Sequence, residues 1–125
     1  MDNGNTSGFT VMVAEDEGWP VVAVAGEVDL HSVPRLRSAM EDAEARSASG
    51  GHVVLVDLSE VEFMDSSGLG VLIGRHRELA ESGGEMRVVA GEAAMKILRL
   101  TSLNTVFSIY DSRREALDGG SGGAS

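Results

Sequence analysis

From Val53 onward the chain alternates between segments typical of strands and segments typical of helices, with glycines or polar residues between them. The first of these segments, Val53–Val56, is an uninterrupted apolar run, which predicts a central strand covered on both faces. Strands joined through helices lie parallel, because the helix returns the chain to the end at which the previous strand began. The sequence therefore predicts an α/β fold with a mainly parallel sheet and helices packed on it.

The amino-terminal segments differ, because only a short acidic break separates two strand-like runs. Phe9–Val13 alternates between apolar and polar positions, Trp19–Ala25 is again rich in strand formers, and Glu15–Gly18 lies between them. So short a connection predicts an antiparallel hairpin. The expected sheet is therefore mixed, with an N-terminal β-hairpin joined to the parallel strands.

The helices and later strands follow from capping residues and apolar spacing. Ser32 is expected to cap a first helix, with Pro34 in the first turn, where its missing N–H costs no hydrogen bond. The apolar stripe of that helix consists of Val33, Leu36, Met40 and Ala43. After a turn at Asp65–Gly70, the remaining predicted elements are a helix to about Ser82, a strand at Met86–Ala90, a helix at Ala93–Leu100, a strand at Val106–Tyr110 and a short helix at Ser112–Leu117.

The chain length sets the domain organisation. With 125 residues there is enough sequence for one domain with one core, predicted over residues 8–117. Residues 1–7 are polar and rich in glycine and asparagine, and are predicted to be disordered. Residues 118–125 have the composition of a flexible Gly/Ser tail.

Charge and composition exclude several classes of function. The net charge of −10 leaves no basic face for nucleic acid and disfavours anionic lipid. No apolar run approaches the ~20 residues of a membrane-spanning helix. Cysteine is absent and the three histidines are not spaced for a metal site, so no metal or other cofactor is expected. Without a secretion signal at the start, the chain is expected to be cytoplasmic. An acidic chain with one modest apolar feature outside its core is expected to be a monomer.

The helix that follows Asp65 contains three glycines, Gly68, Gly70 and Gly74, at its start and in its middle. Each glycine in a helix interior lowers stability by about 1 kcal/mol relative to alanine, so a helix that serves only packing usually avoids them. Its predicted core face consists of Leu69, Leu72, Ile73, His76, Leu79 and Ala80. Its predicted outward face consists of Gly70, Val71, Gly74, Arg75 and Glu78. Either Gly68 serves turn geometry and Gly70 and Gly74 allow close helix–sheet contact, or a partner's backbone approaches the helix with Val71 as an apolar anchor.

Ser66 and Ser67 stand at the start of the same helix. One hydroxyl is enough to cap a helix, and the second is then free for another role. The free N–H groups and positive dipole end of a helix also suit a phosphate group. The residues alone therefore permit phosphorylation here without requiring it.

The segment Val56–Leu72 closely resembles the hallmark segment of the bacterial anti-sigma factor antagonists, which have the STAS fold. The resemblance continues at Gly74–Arg75 and Gly83–Met86 and is weaker at Met95–Leu98. Gly26–Leu30 is similar to the family's first-strand exit motif. The resemblance covers most of residues 9–117 and is most specific over Val56–Leu72.

The resemblance implies a protein that switches partners. In this family the unphosphorylated form binds an anti-sigma factor that is also a serine/threonine kinase, and a sigma factor is thereby released. The kinase phosphorylates the serine directly after the motif's aspartate, here Ser66 with Ser67 as the alternative, and a metal-dependent serine phosphatase reverses the modification. Asp29 matches a family acidic position near that serine. The implied partner-binding residues are Asp29, Asp65, Ser66, Ser67, Gly68, Leu69, Gly70, Val71, Gly74 and Arg75.

Two alternatives remain. STAS-like domains also serve as scaffolds or ligand-sensing modules without a phosphorylation cycle, although the presence of both Asp65 and Ser66 favours the regulated antagonist. A receiver-like domain would use Asp57 as phosphoacceptor, but it needs a helix between its first two strands and a lysine close to the phosphoryl group. The only lysine is Lys96, inside a helical pattern.

Enzymatic activity is not expected. Asp65–Gly68 does not have the Gly-x-Ser-x-Gly pattern of a hydrolase nucleophile. No glycine-rich loop followed by Lys and Ser or Thr is present for a nucleotide. His76 falls within the apolar stripe of its helix and is assigned to the core or its edge.

Overall fold

The computed structural model describes residues 8–47 and 53–119, and its first two strands form the predicted antiparallel hairpin. β1 (Thr10–Asp16) and β2 (Trp19–Val28) are joined by Glu17 and Gly18, whose φ angles are 54° and 86°. Two consecutive positive φ angles are what a tight hairpin turn requires. The predictions for residues 1–7, 48–52 and 120–125 lie outside the described residues.

The remaining elements follow the predicted order. They are α1 (Val33–Arg46), β3 (Val53–Met64), α2 (Ser66–Glu81), β4 (Glu85–Ala90), α3 (Glu92–Leu100), a single 3-10 turn (Leu103–Thr105), β5 (Ser108–Tyr110) and α4 (Arg113–Asp118). The five strands lie in the order β1-β2-β3-β4-β5, antiparallel in the first pair and parallel in the others. The predicted α/β fold with a mixed, mainly parallel sheet is confirmed.

β3 is the central strand and is covered on both faces, as its apolar run predicts. Val54 and Val56 point into the larger core, beneath α1 and α2, while Leu55 points into a smaller core with Tyr110 and Ala116. All three β3 side chains are fully buried. The buried run therefore divides the molecule into two apolar layers on opposite sides of one sheet.

Three local predictions are wrong. The last strand begins at Ser108 rather than Val106, because the 3-10 turn at Leu103–Thr105 occupies the approach and leaves Val106 45% exposed. Ala80 is exposed rather than in the core face of α2. The predicted turn at Asp65–Gly70 is already helical from Ser66, because Asp65 starts the helix.

The carboxyl ends of β2 and β3 lie side by side. Val28 is paired with Met64, and the Asp65 amide donates a 3.0 Å hydrogen bond to the Val28 carbonyl. Neighbouring strands are about 4.8 Å apart. Asp29 and Asp65, which directly follow the paired residues, therefore leave the sheet as neighbours.

Candidate functional site

Asp65 is the N-cap of α2. One oxygen of its carboxylate accepts hydrogen bonds from the Ser67 amide (2.9 Å), the Gly68 amide (3.3 Å) and the Ser67 hydroxyl (2.5 Å). The Ser67 hydroxyl, followed by these amides, lowers the pKa of Asp65 below its ordinary value. The expectation that a serine caps this helix is wrong, because the aspartate reaches the same N–H groups and carries a charge that suits the positive end of the helix.

The two serines consequently have different surroundings. Ser66 is exposed, and its hydroxyl has no hydrogen-bond partner within residues 8–47 and 53–119. Ser67 is half-buried and its hydroxyl donates to Asp65. Of the two hydroxyls, only that of Ser66 is open to a second protein without breaking a hydrogen bond first.

Asp29 is hydrogen-bonded to the start of the next segment where the chain leaves β2. Its carboxylate accepts from the His31 amide (3.0 Å), the Ser32 amide (3.2 Å) and the Ser32 hydroxyl (3.1 Å). Ser32 is 2% exposed. It stands at the N-cap position of α1 but makes no side-chain cap, so its predicted capping role is wrong. Its hydroxyl donates a hydrogen bond to Asp29 instead. The sequence analysis missed this role, although an aspartate three residues before a serine is a usual sign of such a local turn.

Gly68 and the two later glycines of α2 differ in what surrounds them. A Cβ at Gly68 would lie 2.7 Å from Val28 Cγ1 and 2.9 Å from Met64 Cγ, so this glycine is required by helix–sheet packing. A Cβ at Gly70 or Gly74 would meet nothing within 4 Å. The packing interpretation therefore applies to Gly68 and fails for Gly70 and Gly74, which removes the alternative that these two glycines allow close helix–sheet contact.

Ser66, Gly70 and Gly74 share one face of α2. They are four residues apart, which places them one above another along a helix, and all three are exposed. We call these three residues, together with Asp29 and Asp65, the switch face. This face combines a free hydroxyl, two carboxylates and a strip of helix backbone without side chains.

Val71 is buried, so its predicted position on the outward face of α2 is wrong. It is 4% exposed and Leu69 is 7% exposed, and both belong to the larger core. The cause is that α2 packs against α1 as well as against β3 and β4, which covers a second side of the helix. Gly68, Leu69 and Val71 therefore support the switch face from below.

Arg75 is committed to an intramolecular ion pair. Its guanidinium donates from Nε to Glu44 Oε2 (3.0 Å) and from its NH2 nitrogen to Glu44 Oε1 (2.7 Å). The Glu44 hydrogen bonds raise the pKa of Arg75. A planar, two-point ion pair of this kind ties α2 to α1. Arg75, expected to face a partner, thus serves first as a link between two helices.

Asp57 does not have the surroundings of a phosphoacceptor. It lies in the middle of β3, 8% exposed, and accepts hydrogen bonds from the Ser59 hydroxyl (2.6 Å) and Arg113 Nε (2.6 Å). Burial alone raises the pKa of Asp57, but the Ser59 and Arg113 hydrogen bonds outweigh it and hold the pKa below its ordinary value. A hairpin, not a helix, joins the first two strands. The receiver-like interpretation is wrong.

Other groups in the described part of the chain add no chemistry to this site. His76 lies at the edge of the core, with its ring against Phe107 at 5.4 Å between centroids, as predicted. Within residues 8–47 and 53–119 no group of three or more acidic or histidine side chains is placed to hold a metal ion. No helix among these residues is long and apolar enough to cross a membrane.

Comparison with known proteins agrees with this geometry. The STAS domain model matches residues 10–116. The anti-sigma F factor antagonist of Paenibacillus polymyxa is 37% identical over 98 residues, which cover 78% of this chain and 82% of that protein. The crystal structure of an anti-sigma factor antagonist from Mycobacterium paratuberculosis has a TM-score of 0.79 at 33% identity, covering 92% of this chain and 96% of that one.

A third comparison concerns the modified state of a relative. The structure of the Bacillus cell fate determinant SpoIIAA in the phosphorylated form matches with a TM-score of 0.62 at 26% identity, over 88% of this chain and 96% of that one. The family model spans nearly all of the described residues, and close relatives are matched over most of their length. The chain therefore belongs to the STAS domain family, as one of its anti-sigma factor antagonists.

Proposed function

We propose that the unphosphorylated protein binds an anti-sigma factor serine kinase through the switch face, and that this binding releases a sigma factor. The kinase transfers the γ-phosphoryl group of ATP to the Ser66 hydroxyl, and the phosphorylated protein leaves. The observation that carries the proposal is the Ser66 hydroxyl, exposed and without a hydrogen-bond partner in the described residues, at the start of the helix that Asp65 caps.

Ser66 is the better acceptor because its modification leaves the helix cap intact. Phosphorylation of Ser67 would remove the hydroxyl that donates to Asp65 and place a dianion against that carboxylate. A relative in the same fold has been solved in a phosphorylated form, which supports a phosphorylation cycle.

Phosphate at Ser66 would weaken binding by charge alone. It adds about −1.5 to −2 charges at neutral pH. The N–H groups of Ser67 and Gly68, which otherwise suit a phosphate, already donate to Asp65. In the free protein water screens the phosphate from Asp65 and Asp29, whereas in an interface with an effective dielectric of ~20 two unit charges ~6 Å apart repel by ~3 kcal/mol, which weakens the affinity by up to about a hundredfold. No change of fold is needed.

The two open glycines supply the approach path. With no Cβ at Gly70 and Gly74, a partner's backbone reaches the surface of α2 closely enough to contact Ser66 from the side. Both glycines lie in line with the acceptor serine. Their helix-destabilising cost is then explained by binding.

The direct test is a binding titration with the anti-sigma kinase encoded in the same genome. Ser66→Ala is expected to bind as tightly as the unmodified protein and to resist ATP-dependent release, whereas Ser66→Asp binds about a hundredfold more weakly. Ser67→Ala is the matched control, and Ser66 remains its phosphorylation site. Peptide mapping after incubation with kinase and ATP identifies the modified serine. Full binding by Ser66→Asp, with its melting curve unchanged, would contradict the proposal.

Reactivation by a metal-dependent serine phosphatase completes the proposed cycle. The Ser66 phosphate would stand clear of the core on an exposed helix terminus, where an enzyme reaches it without unfolding the domain. Treatment of the phosphorylated protein with such a phosphatase and its metal is expected to restore kinase binding, and omission of the metal serves as the control.

One observation favours the alternative of a ligand-sensing STAS module. A groove of about 550 Å³ lies on the sheet face opposite α1 and α2, with Met12, Ala23 and Ala25 among its apolar residues and Asp57 and Arg113 among its polar ones. Its volume is in the range of small-molecule sites. Native mass spectrometry of the purified protein tests this alternative, which requires a bound small molecule that Ala23→Trp displaces.

A further inference from the structure

Five large apolar side chains are exposed in the described part of the chain. They are Met12 (60%), Leu30 (69%), Phe63 (50%), Leu100 (77%) and Val106 (45%). Two of them, Leu30 and Phe63, lie next to the switch face in sequence, because Leu30 follows Asp29 and Phe63 stands two residues before Asp65. Of the other three, Met12 lies in β1, Leu100 ends α3 and Val106 lies between the 3-10 turn and β5.

The strand register brings Leu30 and Phe63 to the same end of the sheet. Phe63 is paired with Glu27, one residue before the Val28–Met64 pair that ends the two strands. Val28 and Met64 point into the larger core. Because side chains alternate along a strand, Phe63 points to the other face, and its ring is half in solvent. Leu30 lies in the turn that leads to α1.

Packing of the core does not explain why Leu30 and Phe63 are large and apolar. Neither Leu30 nor Phe63 is among the residues that form or flank the two buried clusters. A polar residue at either site would leave both clusters intact and would reduce the exposed apolar area. Bulky apolar side chains next to a binding face are the usual source of affinity in a protein interface.

The charges around this pair are negative. Glu60 and Glu62 are exposed on the same end of β3, and Glu27 is exposed beside Phe63. An apolar pair within an acidic border is complementary to an apolar pocket bordered by arginine or lysine.

We propose that Leu30 and Phe63 are the apolar anchors of the kinase interface, and that the partner presents to them an apolar pocket whose basic groups face Glu27, Glu60 and Glu62 and not Ser66. This inference rests on the proposed function and deepens it. The pair supplies affinity, while Asp29, Asp65 and Ser66 supply the dependence on phosphorylation. The footprint then extends from α2 across the carboxyl ends of β2 and β3.

Kinetics separate the two contributions. Removal of an apolar anchor raises the dissociation rate to the same extent at low and high salt, because apolar contacts are insensitive to ionic screening. Removal of a rim charge chiefly changes the association rate and its salt dependence. Surface plasmon resonance with the kinase at about 50 and about 500 mM salt distinguishes the two kinds of contact. These concentrations lie on either side of 0.1 M, where the screening length is ~10 Å.

The experiment compares Leu30→Ala and Phe63→Ala with Leu100→Ala and Val106→Ala. The controls remove exposed apolar side chains on other elements, Leu100 at the end of α3 and Val106 before β5. We expect each anchor substitution to weaken kinase binding about tenfold or more at both salt concentrations, and each control to change it less than about twofold. All four variants should melt with the parent protein, because surface substitutions of this kind change stability little.

The outcomes are distinguishable. If the parent protein binds and Ser66→Asp does not, but both anchor variants bind within about twofold of the parent, the anchor proposal is overturned and the proposed function stands. If the parent protein does not bind the kinase, the proposed function fails and the anchors fail with it. A concentration-dependent dimer in sedimentation that Phe63→Ala abolishes would assign the pair to self-association and overturn the proposal.

Discussion

At the scale of single residues, the hydrogen bonds of one aspartate give two neighbouring serines different surroundings. Asp65 takes the Ser67 hydroxyl and the first free N–H groups of α2, and Ser66 is left without a partner in the described residues. The sequence predicts a serine cap equally well, because Ser and Asp are both preferred at that position. Only the three-dimensional path of Met64–Ser66 decides which side chain reaches the N–H groups.

Asp65→Ala is expected to lower the free energy of unfolding by about 1 kcal/mol, because the first N–H groups of α2 lose their acceptor. Asp65→Asn keeps an acceptor oxygen and should lose less. Urea unfolding followed by circular dichroism measures both variants. If Asp65→Ala unfolds at the same denaturant concentration as the parent, the capping role is refuted.

At the scale of elements, α2 combines one packed side with one bare side. Its apolar periodicity predicts burial of Leu69 and Leu72 but not of Val71, because the second covering element, α1, is invisible in the pattern of α2 itself. The glycines show the same limit, because the packing alternative placed the close contacts at Gly70 and Gly74 rather than at Gly68. Which glycine has a close neighbour depends on where Val28 and Met64 arrive from other elements.

The glycines give a prediction in which stability and binding change in opposite directions. Gly68→Ala should destabilise the fold by ~1–3 kcal/mol, because the new methyl group meets Val28 and Met64. Gly70→Ala and Gly74→Ala should stabilise it by about 1 kcal/mol each, since their Cβ atoms enter open space in a helix.

Binding supplies the second half of that test. Gly70→Ala and Gly74→Ala are expected to weaken kinase binding although they stabilise the protein. Thermal unfolding and a binding titration on the same samples measure the two effects. Variants that are more stable and bind normally would show that the open glycines do not face the partner.

At the scale of the whole molecule, two carboxylates make the stability of the fold decrease at acidic pH. The pKa values of Asp57 and Asp65 are lowered in the folded state, while unfolded aspartates titrate near ~3.9. Both ionised groups therefore stabilise the fold above about pH 4, and the contribution is lost as the pH falls through the folded-state values.

The free energy of unfolding should therefore fall less between pH 7 and pH 3 in Asp57→Asn than in the parent protein, because asparagine does not titrate. Urea midpoints at the two pH values measure the difference. The exposed Asp111→Asn is the control and should follow the parent. An unchanged loss in Asp57→Asn would contradict a stabilising Asp57–Arg113 pair.

The global architecture was predictable because it depends on order and periodicity, which are local properties of a chain. Alternation from Val53 onward predicted the parallel strands, and the short acidic break predicted the hairpin. The family resemblance predicted a partner-binding segment within Val56–Leu72. Contacts between distant segments, such as Arg75 with Glu44 or Asp57 with Arg113, had no signal in spacing and required the fold.

The central claim is that charge at Ser66 ends partner binding without changing the fold. The most direct measurement is isothermal titration of the kinase with protein phosphorylated stoichiometrically at Ser66, beside a thermal melt of the same sample. The account predicts an affinity about a hundredfold weaker than that of the unphosphorylated protein, with an unchanged melting temperature. An affinity within about threefold of the unphosphorylated value, or a loss of affinity that accompanies unfolding, would contradict it.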